Sequence, residues 1–261
     1  MRDVQNERDS RKIPIDLVGV RNLSYPIIVL DRQQNEQRTV AEISMAVSLP
    51  HHYRGTHMSR FIEVLEEFQG KVTLSQMEHI TEHLRKVLHA DRAEITFQFP
   101  YFMRRYAPVT NLPSYSRYDV TFWSQKSDTF DLVTTVSVPV QTLCPCSKEI
   151  SEAGAHNQRG RIDISARMKN FVWIEELVEI AERCGSAPLH TLLKREDEKY
   201  VTEEAYNNAK FVEDVLRDTA LALEAEPRIS WYKVRVVSSE SIHNHDAFAE
   251  LERHVAHGGS I

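Results

Sequence analysis

The feature that most restricts how this chain can fold is an order of elements that occurs twice. Ile43, Met45, Val47 and Leu49 alternate with small or polar residues, the period of a half-buried strand, and Pro50 ends the run. A short apolar strand, Tyr25 to Leu30, precedes it across the polar turn Gln33–Glu36. Two amphipathic helices should follow. One carries Phe61, Leu65 and Phe68 up to Gly70; the other carries Met77, Ile80, Leu84, Val87 and Leu88. Thr73 with Gln76 three residues on reads as a capping box for the second. Strands are expected near 93–99 and 118–123, with Pro100, Pro108 and Pro113 marking an irregular stretch between them.

The order then returns. Strands near 131–141 and 161–168 precede a helix with Ile174, Leu177, Ile180 and Ala181 on one side, closed by Gly185. A broken polar stretch leads to a longer helix through Phe211, Val215, Leu216 and Leu223, ended by Pro227. A strand bearing Tyr232, Val234 and Val236 comes last. Strand pairs with two helices on one face make an α+β architecture.

Between the strands of the second half lies the stretch richest in chemistry, Gln141–Gly160. Thr134, Val136, Val138 and Val140 alternate into it, and Ile162, Ile164 and Ala166 alternate out of it, so both ends are held by strands. It contains Cys144-Pro145-Cys146 and, twelve residues past the first cysteine, His156. Proline fixes φ and removes a donor, so the two thiols sit on a stiffened turn suited to metal ligation or to a reactive thiolate. A closed structural zinc site needs four protein ligands, and Cys184 stands alone as the third cysteine. Cys144 and His156 therefore fit an open site that keeps a position for water. His243 and His245 lie two apart beyond the last expected strand; on one face of an extended segment, they could transfer protons or complete a metal shell.

Composition removes several function classes. A net charge of −6 argues against a nucleic-acid-binding surface, although a local basic cluster would still hold a polyphosphate. Three cysteines do not make a disulfide framework and point to a reducing compartment. Met1 to Lys12 are polar, with no apolar signal region, and no apolar run approaches the eighteen or so residues that cross a bilayer. A cytoplasmic protein without a membrane partner is expected.

Gln141-Thr-Leu-Cys-Pro-Cys-Ser-Lys-Glu-Ile-Ser followed by Gly154-Ala-His-Asn-Gln-Arg resembles the type IB GTP cyclohydrolases, prokaryotic enzymes that open the imidazole ring of GTP. Arg54-Gly-Thr-His-Met-Ser-Arg60, Asp197-Glu-Lys-Tyr-Val-Thr-Glu203, Lys210-Phe-Val-Glu-Asp214 and Ser241-Ile-His-Asn-His-Asp-Ala-Phe248 extend the resemblance over nearly the whole chain. It implies two tandem tunnelling-fold units per chain, with antiparallel sheets, helices on one face and an oligomeric barrel. The segments would be an N-terminal arm at 1–22, the two units at 23–127 and 128–250, and a C-terminal tail at 251–261.

The implied reaction converts GTP and water to 7,8-dihydroneopterin triphosphate and formate, the entry to folate and in many bacteria to deazaguanine. By resemblance Glu198 is the third ligand beside Cys144 and His156, for zinc or manganese, with iron as a further candidate. Cys146 becomes a catalytic thiol at the reacting carbon, its alternative being a second metal ligand. Glu213 grips the guanine edge, since a carboxylate accepts two adjacent N–H donors at once. Lys148, Arg159, Arg161, Arg54 and Arg60 supply cations for the triphosphate, and His57 belongs to the substrate site. A homotetramer with shared active sites is implied. The alternatives are a non-catalytic metal- or nucleotide-binding assembly protein, or a related nitrile reductase, whose Glu-Ser-Phe-Lys segment the chain lacks.

Overall fold

The computed structural model describes residue 5 and residues 7–255. They form two compact units, one of residues 1–100 and 121–134, the other of 101–120 and 135–261. The division is not at residue 127, where two consecutive segments would meet. Three strands, β3 (Ala93–Tyr106), β4 (Pro113–Lys126) and β5 (Phe130–Leu143), each contribute residues to both units.

In the first unit β1 (Ile15–Asp31) and β2 (Asn35–Leu49) make a long antiparallel hairpin. Its turn is set by Asp31, whose Oδ1 accepts the backbone N–H groups of Gln33 at 2.8 Å and Gln34 at 2.7 Å. β2 continues antiparallel to β3, with Ile43 opposite Phe97 and Met45 opposite Ile95, all on the buried face. Helices α1 (Met58–Glu67) and α2 (Leu74–Val87) add Phe61, Val64 and Leu65, and Met77, Ile80 and Leu84, to that core. Gly70 ends this helical turn at φ +69°, and a Cβ there would meet the carbonyl oxygen of Pro26 at 2.6 Å. On α2, the buried Thr81 hydroxyl bonds the Ser124 hydroxyl of β4 at 2.7 Å.

The second unit orders its strands β3-β4-β5-β6-β8-β9, adding β6 (Asn157–Met168), β8 (Ile229–Ser238) and β9 (Ala247–His254). A two-residue strand, β7 (Ala187–Pro188), pairs with Val140 and Gln141 of β5. Val136, Val138 and Val140, Ile162 and Ile164, and Val234 and Val236 fill one face of the sheet. Helices α4 (Ile174–Cys184) and α6 (Val212–Glu224) contribute Leu177, Val178, Val215 and Leu223 to the core.

Several expectations need correction. The irregular stretch after β3 is only 107–112, because β3 runs through Pro100 and β4 starts at Pro113. Thr73 does precede α2, but its hydroxyl meets Ser75 Oγ at 3.0 Å and makes no cap bond, so there is no capping box. The broken polar stretch is helix α5 (Arg195–Asn207). The expected arm overlaps β1 from Ile15 and the expected tail overlaps β9, whereas residues 1–4, 6 and 256–261 lie outside the described residues.

Candidate active site

Cys-Pro-Cys is not a turn. Cys144 is the N-cap of a short helix, α3 (Pro145–Ile150), with Pro145 at its first position, where a missing N–H costs nothing. The Cys144 sulfur accepts the Ser147 N–H at 3.5 Å, a cap bond that places the half-buried thiol at the mouth of the loop. Cys146, the second residue of the helix, is exposed.

The loop closes on itself at His156. The Cys144 N–H donates to the His156 carbonyl at 3.1 Å, and the His156 N–H donates to Ser147 Oγ at 3.2 Å. Cys144 and His156, twelve residues apart in sequence, are thus neighbours across the mouth between β5 and β6. Behind the imidazole, His156 Nδ1 lies 2.9 Å from Gln158 Oε1 and 3.8 Å from Glu240 Oε2. Gln158 Nε2 reaches Thr142 Oγ1 at 3.1 Å, Ser238 Oγ at 3.3 Å and Glu240 Oε1 at 3.4 Å. Neither Gln158 nor Glu240 stood among the residues singled out above. Strand alternation, which puts Gln158 on the same side as His156, is the one signal that could have pointed to it.

Glu240 also ties in the histidine pair. His243 and His245 lie in the turn between β8 and β9, not beyond the last strand. Their exposed rings stack at 5.0 Å with an interplanar angle of 20°, and the His243 N–H donates to the Glu240 carbonyl at 3.2 Å.

Helix α5 meets the loop at its C-terminal end. Lys148 Nζ donates to the Tyr206 carbonyl at 2.5 Å and sits 4.4 Å from the centre of the Tyr206 ring. The Lys210 N–H donates to the Leu143 carbonyl at 3.1 Å, beside Cys144. Glu198 is exposed near the other end of the helix, eight residues and about 12 Å of axial rise from Tyr206. Its neighbour Asp197 is buried instead, accepting the N–H groups of Val109 and Thr110 and the Thr110 hydroxyl. Burial opposes its charge, but these donors and the Lys194 N–H outweigh burial and hold its carboxyl well below the usual range.

Among the described residues, no three His, Cys, Asp or Glu side chains are grouped to hold a metal ion. Two of the three expected donors nevertheless fit one by chemistry: a half-buried thiol and an imidazole on residues whose backbones meet, with the ring bound to Gln158 through Nδ1 and not Nε2.

The basic residues divide. Arg159 and Arg161 project from the exposed face of β6, opposite Gln158, and Arg161 Nε bonds Asp163 Oδ2 at 3.2 Å. Glu213 is exposed in the first turn of α6. Arg54, His57 and Arg60 belong to the first unit. There Arg54 pairs with Glu7 at 3.0 Å, His57 is the N-cap of α1, and Arg60 donates to the Val87 carbonyl at 3.0 Å.

The fold is similar to that of solved uricases. The chain superposes on a uricase from Bacillus fastidious with a TM-score of 0.57 at 11% identity, covering 91% of this chain and 93% of that one. A uricase from Arthrobacter globiformis gives 0.53 at 8% identity, covering 94% and 96%. Sequence is more specific than fold here. Residues 1–249 match the family described as type I GTP cyclohydrolase folE2, and the chain belongs to it. A relative from Kosmotoga olearia named GTP cyclohydrolase FolE2 is 53% identical over 253 residues, 97% of this chain and 98% of the relative. Relatives of the same name from Geobacter sulfurreducens (51% over 253 residues, covering 97% and 98%) and Fervidobacterium nodosum (54% over 252 residues, covering 96% and 97%) agree.

Proposed function

We propose that this chain is a GTP cyclohydrolase, converting GTP and water to 7,8-dihydroneopterin triphosphate and formate at the start of folate biosynthesis. About half-identity with FolE2 enzymes over nearly the whole chain carries this reading. The meeting of Cys144 and His156 at the strand mouth supports it locally.

The chemistry needs water to attack C8 of a neutral purine and a proton for the departing ring nitrogen. Cys144 Sγ, His156 Nε2 and Glu198 would hold a divalent ion, zinc or manganese, with iron as a further candidate. Such an ion supplies Lewis acidity and activates water at neutral pH. Cys146, the more exposed thiol, is read as the one beside the reacting carbon, and His243 and His245 as the proton-transfer pair. Glu213 accepts from guanine N1–H and the exocyclic amine. Lys148, Arg159 and Arg161, and on the first unit Arg54 and Arg60, are read as cations for the triphosphate, and His57 as a substrate-site residue.

Glu198 lies some two helical turns from the part of α5 that meets the loop, which favours a site completed in an assembled enzyme. We read that assembly as a homotetrameric barrel of tandem tunnelling-fold units, in the cytoplasm. No helix among the described residues is long and apolar enough to cross a membrane.

Incubating the full-length protein with GTP should release formate, and chelation should stop it. His156→Ala and Cys144→Ser should purify with little metal. Serine caps helices well, so metal loss in Cys144→Ser would not reflect unravelling of α3. Absence of formate overturns the enzyme reading; stoichiometric metal in both variants overturns the ligand assignment.

A further inference from the structure

The Gln158 side chain is almost fully buried, 9% exposed, between the β5–β6 mouth and the β8–β9 turn. Its two ends have different neighbours. One faces three oxygens, Thr142 Oγ1, Ser238 Oγ and Glu240 Oε1; the other faces only His156 Nδ1. A carboxylate can only accept, so the end of the amide turned toward Glu240 is the one that donates. The Gln158 oxygen therefore faces the imidazole, and at 2.9 Å it can only accept a hydrogen bond from Nδ1. The Thr142 and Ser238 hydroxyls, which also bond each other at 3.1 Å, can donate or accept, so Glu240 is the neighbour that decides. Turning the amide over would set its oxygen against the Glu240 carboxylate.

We propose that Gln158 is a positioning residue that holds His156 as the Nδ1–H tautomer and so presents the Nε2 lone pair to the ion. The inference rests on the reading of His156 as a ligand. A neutral imidazole has one donor nitrogen and one acceptor nitrogen, and whatever fixes the first selects the second. Such orienting partners typically change metal affinity by about 10- to 100-fold when removed. Of the two expected loop ligands, Gln158 contacts His156, and it would act on the ion through that imidazole. Glu240 Oε1 holds the amide the right way round, and Glu240 Oε2, 3.8 Å from Nδ1, favours a proton on the same nitrogen.

The test uses the full-length chain isotopically labelled at the histidine ring nitrogens. His156 is assigned by comparison with His156→Ala, and spectra are taken with and without one equivalent of zinc. The wild type should carry its His156 proton on Nδ1 in both states; a proton on Nε2 overturns the inference. Gln158→Leu should lose that preference, and its zinc dissociation constant, from competition with a chelating dye, should rise about 10- to 100-fold. The exchange Gln158→Glu with Glu240→Gln keeps an oxygen opposite Nδ1 and restores a donor between the two side chains, so it should keep both the tautomer and the affinity. A fall in the exchanged variant matching that in Gln158→Leu would mean that packing, not the acceptor, matters. If Gln158→Leu does not fold, the wild-type spectrum and the exchanged variant still decide. Zinc affinity unchanged in His156→Ala overturns the ligand reading; affinity lost there but kept in Gln158→Leu overturns this inference alone.

Discussion

Glu213 and Asp214 are adjacent carboxylates with separable duties, and inosine triphosphate tells them apart. Asp214 is committed to α6: its Oδ2 accepts the Phe211 N–H at 3.1 Å, and its Oδ1 accepts from Arg217 at 3.2 Å. Glu213 is exposed in the same turn and is the carboxylate read as the guanine acceptor. Inosine triphosphate lacks the exocyclic amine, so one of two donors to that carboxylate disappears. A hydrogen bond to a charged group is worth about 1.5–3 kcal/mol, roughly ten- to a hundredfold or more in kcat/KM. If Glu213 stays as open to water in the working site as in this chain, the preference for GTP should sit near the tenfold end. Enclosure by substrate and assembly moves it to the upper end. In Glu213→Ala the acceptor is gone for both substrates, so GTP turnover should fall steeply and the two kcat/KM values should converge. Asp214→Ala is the control. It loses a helix cap, about 0.5–2 kcal/mol, and should melt earlier while keeping the wild-type ratio. A full preference for GTP in Glu213→Ala, or its loss in Asp214→Ala, would refute this assignment of roles.

Other expectations follow from the same geometry. Cys146 makes no cap bond, so Cys146→Ala should leave α3 and the bound metal intact while kcat falls on the order of a hundredfold or more; metal loss equal to that in Cys144→Ser would favour the ligand alternative. Asp197 has a lowered folded pKa, so its stabilising contribution is full above the unfolded aspartate value of about 3.9 and is lost as pH falls through the folded value. The gap in urea midpoint between wild type and Asp197→Asn should therefore be widest at neutral pH and shrink below about pH 4; a gap that grows in acid contradicts this. Thr81→Val keeps the shape but leaves the buried Ser124 hydroxyl without its partner, and should cost about 1–3 kcal/mol in urea unfolding, with an unchanged midpoint counting against the bond.

What could be read from the amino-acid order follows the reach of each interaction. Ile43 to Leu49 and Val136 to Val140 alternate because one sheet face is buried, so those strands were legible. The first ten residues of β1 were not. They are exposed or half-buried on both faces and are held by backbone pairing to β2, which leaves no periodic trace. Helix α5 was missed for a related reason: with Asp197, only Val201 and Ala205 are buried, too few for a stripe. Asp197 itself read as one charge in a solvated run, because the donors that bury it lie 87 and 88 residues earlier.

The candidate site divides in the same way. Thiols and imidazoles declare their chemistry by type, so Cys144, Cys146 and His156 stood out before any geometry was known. Gln158 and Glu240 are ordinary by type, and only folding brings them to the imidazole. Gln158 and Glu240 are 82 residues apart, and β8, paired with β6, carries the chain back to the turn that holds Glu240. The register of that pairing, with Gly160 opposite Ser238, sets the Ser238 hydroxyl beside the amide. Gly160 matters for the same reason, since a Cβ there would come within 3.1 Å of Thr142 Cγ2, next to the hydroxyl that accepts from Gln158. A side chain at 160 would thus push on a residue that packs against the amide, and through it on the setting of His156, without touching the imidazole.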